Sequence, residues 1–282
     1  MDDLIKKLRK AGAGCHLGGV FCGVVGYADD LLLLAPSRSA MASMLRIYEV
    51  YAEDNNLEFS TDPDPQKSKS KCIFMQGNMR KPKPVNIQLY GVDLPWVKTA
   101  NHLGIELSEE CNMNQDMKHK KADFIDKSTE IRESFSFAQP NQILEAVRMY
   151  CCSLYGSMTW SLYSDKANQV FNCWSTWAKL AWGVTRATHS YIVDNLLSAG
   201  LPSLRSCVLA RFCKFIESVK SSKSMEVRLV ASLSVGDMRT ATGSNCAGIR
   251  KEFKVQNGSM LLMRGQIIDA KRVIPAQDTW RL

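Results

Sequence analysis

Val24-Val25-Gly26-Tyr27-Ala28-Asp29-Asp30-Leu31-Leu32-Leu33-Leu34-Ala35 sets two adjacent carboxylates between two apolar runs, each about the length of a buried strand. A short polar break between such runs predicts a tight hairpin with Asp29 and Asp30 at its turn. Buried aspartates are tolerated when paired, hydrogen-bonded or bound to a metal. Adjacent all-oxygen ligands suit Mg2+, which keeps several waters and takes substrate phosphates as further ligands. The stretch therefore suggests a divalent-metal site for phosphoryl transfer on a β-hairpin. An ordinary reading stands beside it: Asp-Asp is common at turns, because its side chains bond nearby backbone and tolerate turn geometry.

The flanks extend the β reading. Residues 1–10 predict a helix with Leu4, Ile5 and Leu8 on one side, and the four glycines between Ala11 and Gly19 predict a turn. Val20 to Tyr27 and Leu31 to Ala35 are the two expected strands of the hairpin. Pro36-Ser37-Arg38-Ser39 stops the second strand and caps a helix. That helix buries Met41, Met44, Leu45, Tyr48, Tyr51 and Ala52 and ends near Asn55-Asn56. A helix directly after a hairpin must lie back across one face of the sheet.

Asp62-Pro63-Asp64-Pro65 predicts a stiff extended loop. Lys67-Ser68-Lys69-Ser70-Lys71 then leads into an expected strand, Cys72-Ile73-Phe74-Met75, so alternation puts Lys67, Lys69 and Lys71 on one face. Such a comb either faces phosphate or guards a sheet edge against aggregation. Arg80-Lys81-Pro82-Lys83-Pro84 reads as an exposed loop. Val85 to Tyr90 and Leu94 to Val97 read as a hairpin around Gly91-Val92-Asp93, and His102-Leu103-Gly104-Ile105-Glu106-Leu107 closes the β-rich part. A lone His102 is more often structural than a ligand.

From Asn112 the pattern turns helical. One helix is expected over about 114–138, with Met117, Phe124, Ser128, Ile131 and Phe135 inward. The next starts at Pro140-Asn141 with Ile143, Leu144, Val147, Tyr150, Cys151, Leu154 and Met158. A third carries Val170, Phe171, Trp174, Trp177, Ala178 and Ala181, and its tryptophan stripe reads as core rather than as a base-stacking platform. Gly200-Leu201-Pro202 punctuates the chain before a helix with Leu204, Val208, Phe212, Phe215 and Val219. The pattern weakens beyond Ser221, and residues 236–282 predict no element.

Composition bounds the rest. At 282 residues, 45% apolar and 23% charged, the chain suits a globular protein with a real core. No run approaches the ~18 apolar residues of a membrane span, and Met1-Asp2-Asp3 shows no secretory leader. The ten cysteines are scattered, with no CxxC. Cys72, Cys151, Cys152, Cys173, Cys207 and Cys213 fall mostly inside apolar patterns, as packed thiols in a reducing compartment, so no membrane and no disulfide-linked partner are expected. The net charge of +8 divides into −2 over residues 1–60, +1 over 61–138 and +9 over 139–282. A basic second half suits a polyanionic partner, or simply a solvated surface.

Tyr27-Ala28-Asp29-Asp30 between apolar strands resembles the catalytic hairpin of reverse transcriptases. Gly14-Cys15-His16-Leu17-Gly18, the hairpin, Leu34-Ala35-Pro36-Ser37, Lys67-Ser68-Lys69 and His102-Leu103-Gly104 stand in the order seen in LINE-type (non-LTR) retrotransposon polymerases. The resemblance covers about residues 1–200. It implies an α+β fold: the C-terminal half of a palm over 1–111, with an antiparallel sheet and a packed helix, then an all-α thumb over 112–200 and a helical extension over 201–282.

The resemblance also implies RNA-templated DNA synthesis, with an RNA template, a DNA primer, deoxynucleoside triphosphates and a pair of Mg2+ ions. Asp29 and Asp30 would ligate the metals, and Tyr27 would lie under the primer terminus. Lys67 would stand near the departing pyrophosphate as an acid, a role for which Lys69 and Lys71 compete. His102, Leu103 and Gly104 would grip the primer. The family pattern also takes a metal-binding Asp from an earlier palm strand and a fingers subdomain, neither of which Met1–Gly19 supplies. The expectation is a reverse-transcriptase fragment, inactive by itself. The alternatives are a non-catalytic nucleic-acid-binding remnant and an inert truncated product.

Overall fold

A computed structural model describes residues 2–57, 60–75, 85–193 and 202–253. Contacts divide the chain at Asn112 into two compact units, Met1–Asn112 and Met113–Leu282. The fold is α+β: the strands described lie in the first unit, and the second is helical.

The first unit opens with helix α1 (Asp2–Ala11), whose Leu4 and Leu8 are fully buried. Antiparallel hairpins β1 (His16–Leu17)–β2 (Val20–Phe21) and β3 (Val24–Tyr27)–β4 (Asp30–Leu33) follow. The expected strand from Val20 to Tyr27 is therefore two strands broken at Cys22-Gly23. A close approach of Gly23 to Gly14 marks the break: a Cβ on Gly23 would lie 3.1 Å from the Gly14 Cα.

Helix α2 (Arg38–Asp54) starts where expected, with Ser37 Oγ accepting from the Ala40 N–H, and it buries Met44, Leu45, Tyr48, Tyr51 and Ala52. Two bonds anchor the next hairpin, β5 (Gln88–Leu89)–β6 (Val92–Asp93), to this helix. Tyr90 N–H donates to Glu49 Oε1 at 2.6 Å, and Arg38 donates to the Asn86 carbonyl at 3.0 Å. The turn is Tyr90-Gly91, one step earlier than Gly91-Val92-Asp93, because both residues take the left-handed region (φ 52° and 71°) that a two-residue hairpin turn requires. β7 (Thr99–His102) and β8 (Ile105–Ser108) form a further hairpin.

The single antiparallel sheet expected of this unit is thus, among the described residues, a set of separate two-stranded ladders. Strands this short leave each ladder to be held by helix packing rather than by neighbouring strands. The expected strand Cys72–Met75 is reduced to one bridge, Cys72 with Trp96, closed by Cys72 N to Pro95 O and Val97 N to Cys72 O, both 2.9 Å. Arg80–Pro84 lies outside the described residues.

In the second unit, α3 (Asn114–Ser134), α4 (Pro140–Cys151), a 3-10 turn at Ser157–Thr159, α5 (Asp165–Ala181), α6 (Ser190–Ile192), α7 (Leu204–Lys220), α8 (Met225–Gly236) and α9 (Ala241–Glu252) share one core. Ser164, Ser203, Ser224 and Thr240 each accept a backbone N–H three residues on, which sets where their helices begin. Trp160, Trp174, Phe124 and Phe212 are its largest fully buried side chains, so the tryptophan stripe is core as expected.

Two inward assignments fail. Phe135 lies past the end of α3 and is 47% exposed, and Tyr150 points outward from α4 at 72% exposure. Helices α8 and α9 occupy sequence in which the apolar pattern was too weak to predict them. The Gly243 and Gly248 positions in α9 lower helix propensity, yet both are close approaches: a Cβ on Gly248 would fall 2.5 Å from the Tyr163 ring.

Polar latches tie α9 to this core. Asn245, 1% exposed, accepts from Leu162 N–H at 2.8 Å and donates to the Trp160 carbonyl at 2.7 Å. The Trp160 indole N–H in turn donates to buried Asp116 at 2.7 Å. At the rim, Arg205 makes a two-pronged ion pair with Glu252, 2.6 and 2.8 Å, and Tyr163 donates to the same carboxylate at 2.7 Å.

Asn245→Ala strands two buried backbone groups and should cost about 3 kcal/mol of unfolding free energy. The Arg205 guanidinium holds the Glu252 carboxyl below its ordinary 4.5. A depressed carboxylate stabilises above its unfolded pKa, and that contribution is lost as pH falls through the folded value. Glu252→Gln should therefore cost about 1 kcal/mol at pH 7, given its partial exposure, and much less near pH 3. Urea midpoints at the two pH values check both variants.

Candidate functional site

The β3–β4 hairpin pairs Val24 with Leu33, Val25 with Leu32, Gly26 with Leu31 and Tyr27 with Asp30, leaving Ala28-Asp29 as the turn. Side chains alternate between faces. Val24, Leu31 and Leu33 form an inner face packed on the core of α1 and α2. Gly26 belongs to that face, and a Cβ there would meet Leu31 at 3.2 Å and Ile5 of α1 at 3.5 Å. The tight approach is to Leu31 of the same hairpin, while the distance to Ile5 is an ordinary van der Waals contact. Beyond the strands, Leu34 N–H donates to Gly23 O at 2.7 Å and Cys15 N–H to Leu34 O at 2.9 Å, which ties down the base.

The outer face carries Val25, Tyr27, Asp30 and Leu32. Val25 is 47% and Tyr27 68% exposed. Asp29 and Asp30 are exposed as well. This corrects the expectation of acids between two buried strands, because only one face of the ladder is covered. A metal site therefore draws no support from buried charge. The donor set itself, two adjacent carboxylates open to water, still fits a hard cation that retains most of its hydration shell. Among the described residues, no three His, Cys, Asp or Glu side chains converge as a ready-made cage.

The turn has its own signature. The β1–β2, β5–β6 and β7–β8 turns place glycine second, at Gly19, Gly91 and Gly104, all with positive φ. The acid-bearing turn has no glycine, and Ala28 at φ 53° takes the same first-position geometry as Tyr90 (52°) and Leu103 (51°). A Cβ residue there stores about 1 kcal/mol of backbone strain.

The other expected site residues stand on separate elements. Lys67 is exposed but lies in a turn rather than an extended entry: its N–H and that of Ser68 both donate to Asp64 O, at 3.1 and 2.9 Å. The comb of three alternating lysines is therefore broken at Lys67, while Lys69 and Lys71 remain exposed beyond it. Two-residue turn geometry also places His102-Leu103-Gly104. Leu103 and Gly104 take φ 51° and 74°, and the Asn101 side chain accepts from Gly104 N–H at 3.0 Å. His102 is half-buried, and its Nε2 is buried without a hydrogen-bond partner among the described residues. Asp29 and Asp30 are thus brought to one turn, with Lys67 on a loop and His102 on another hairpin.

In the second unit, a cleft of about 390 Å3, counted out to open solvent, is lined by Lys120, Asp123 and Lys127 of α3 and by Tyr150, Ser153 and Tyr155. The tyrosines are 72% and 58% exposed. Sequence periodicity counted Tyr150 toward the core and so missed this cleft. Helix α4 buries Ile143, Leu144, Val147 and Cys151, which leaves the Tyr150 ring outward.

Searched against known protein families and curated proteins, the sequence matches none.

Ala28→Gly should relieve the turn. The gain of about 1 kcal/mol is partly offset by the greater freedom of unfolded glycine, leaving a net stabilisation of about 0.5 kcal/mol. Hydrogen exchange of the Leu31–Leu33 amides reads it: slower exchange in the variant is expected.

Proposed function

We propose that the first unit carries the metal-binding hairpin of a LINE-type reverse transcriptase, whose parent reaction is RNA-templated DNA synthesis. The observation that carries this reading is the outer face of β3–β4. Tyr27, Asp29 and Asp30 stand exposed together at its tip, while the inner face and the base are anchored. An anchored hairpin presents its acids at a fixed position, which a phosphoryl-transfer site requires.

In this reading Asp29 and Asp30 hold divalent metal. Bound Mg2+ supplies activation of a primer 3′-hydroxyl and charge neutralisation at the leaving pyrophosphate. Tyr27 offers its exposed ring to the terminal nucleotide. Lys67, Lys69 and Lys71 are cations available to pyrophosphate, and His102-Leu103-Gly104 is a turn placed to grip primer backbone. Two exposed carboxylates hold Mg2+ weakly, since full affinity takes more ligands and the nucleotide phosphates. The chain by itself is therefore proposed to be inactive in synthesis.

Two measurements test this. Mn2+ should broaden backbone resonances around Ala28–Leu31 selectively, and Asp29→Ala with Asp30→Ala should abolish the effect. Broadening that ignores the hairpin would remove the metal-site reading. Primer extension on the chain alone should give no product, and template-dependent synthesis lost on Asp29→Ala would overturn the inactivity.

A second reading, a nucleic-acid-binding module without catalysis, is favoured by the cleft of Lys120, Lys127, Tyr150 and Tyr155. Lysines neutralise phosphate and exposed tyrosines offer stacking faces. Fluorescence anisotropy with a single-stranded oligonucleotide should show affinity falling steeply with salt. Replacing both lysines by alanine should flatten the slope of log affinity against log salt by about 1.4. Undetectable binding at low salt would eliminate this reading.

A further inference from the structure

Cys15 and Cys22 face each other across the ribbon that leads into the acid-bearing hairpin. The β1–β2 register pairs Leu17 with Val20 and His16 with Phe21. One step beyond the ladder sets Cys15 opposite Cys22, and the Cys22 N–H donates to the Cys15 carbonyl at 2.8 Å. A further step sets Gly14 opposite Gly23, the close approach noted above. The Cys22 N–H to Cys15 carbonyl bond is the one the two cysteines share, since Cys15 N–H goes to Leu34 O; directly opposed antiparallel residues have Cα atoms about 4.5–5.5 Å apart. That lies inside the roughly 4.4–6.8 Å spanned by disulfides.

Side chains alternate, so Cys15 and Cys22 share the face opposite His16 and Phe21, whose rings pack against each other at 5.4 Å. Both thiols are half-exposed. Cys72, Cys173 and Cys207 are half-exposed as well, the first at a β-bridge and the others on helices. Cys151, Cys152, Cys213 and Cys246 are buried, and burial pushes the Cys152 thiol up to about 12. Cys111 is exposed and sits alone at a turn.

We propose that Cys15 and Cys22 are a reversible redox-modification site, closing an intrachain disulfide by exchange with a low-molecular-weight disulfide such as glutathione disulfide. One cysteine thiolate attacks the small disulfide, forming a mixed disulfide and releasing one thiol. The second cysteine thiolate attacks the protein sulfur of that mixed disulfide and releases the second thiol. The protein loses two hydrogens and two electrons, and the reagent becomes two thiols. Burial, reinforced by Cys22, holds the Cys15 thiol above its ordinary value, so the reaction quickens as pH rises. The bond staples the ribbon whose Cys15 N–H already holds Leu34, and thereby the base of β3–β4. This site is independent of any catalytic role of Asp29 and Asp30.

The test uses the folded full chain incubated with glutathione disulfide at pH 8, followed by alkylation and tryptic mass mapping. Cys15 and Cys22 lie in one tryptic peptide, Ala11–Arg38. That peptide should appear unalkylated and about 2 Da lighter, and dithiothreitol should reverse the change. Cys22→Ser should instead accumulate the glutathione adduct at Cys15. The proposal is overturned if both cysteines remain alkylatable at equilibrium, if Cys22→Ser reacts like the parent, or if oxidation yields only chains linked through Cys111.

Discussion

The first unit depends on the packing of the inner face of β3–β4 into the apolar cluster that α1 and α2 share. A two-stranded ribbon of four residues a side is marginal in water. Here Val24, Leu31 and Leu33 pack beside Leu4, Leu8 and Met44, and helix packing replaces the neighbouring strands the ribbon lacks. One face is thereby committed to the core and the other left to solvent. The acids, Tyr27 and exposed Val25 lie on the uncommitted side.

The turns obey the same economy. With so few residues per strand, each reversal takes two residues, and left-handed backbone is unavoidable. Glycine fills one position at Gly19, Gly91 and Gly104. At Ala28-Asp29 the strained position is occupied by alanine, and the neighbouring carboxylates make no hydrogen bond to the described residues. The strain at Ala28 recurs at Tyr90 and Leu103, so what sets this tip apart is its pair of solvated carboxylates.

Much of this was legible in sequence. The acid-bearing hairpin, the Ser37 cap of α2 and the buried stripe of α5 follow from patterns spanning fewer than twenty residues each. What escaped was decided by tertiary packing. Alternation cannot say that only one face of a ribbon will be covered, which is why Asp29 and Asp30 were expected between buried strands. Periodicity places Tyr150 inward because it shares a helical stripe with Val147, whereas α4 packs on Val147 and Cys151 and leaves Tyr150 to the cleft. Helix α9 hides its purpose in glycines and one asparagine: Gly248 clears the Tyr163 ring and Asn245 closes two buried backbone groups, features that only the folded partner reveals.

The two units also differ in how their stability is distributed. In the second, buried Asp116 and Asn245 reach Trp160 from opposite ends of the sequence, so that the helices described share polar latches as well as apolar area. In the first, the polar ties between elements include Glu49 with Tyr90 and Arg38 with Asn86, both at the surface. A unit built of short ladders held one face at a time opens locally at lower free energy than a latched helical core. What fixes the position of the acid-bearing tip is the anchoring of its base at Gly23, Leu34 and Cys15. Those backbone bonds, more than the surrounding side chains, determine how well two solvated carboxylates keep a common geometry.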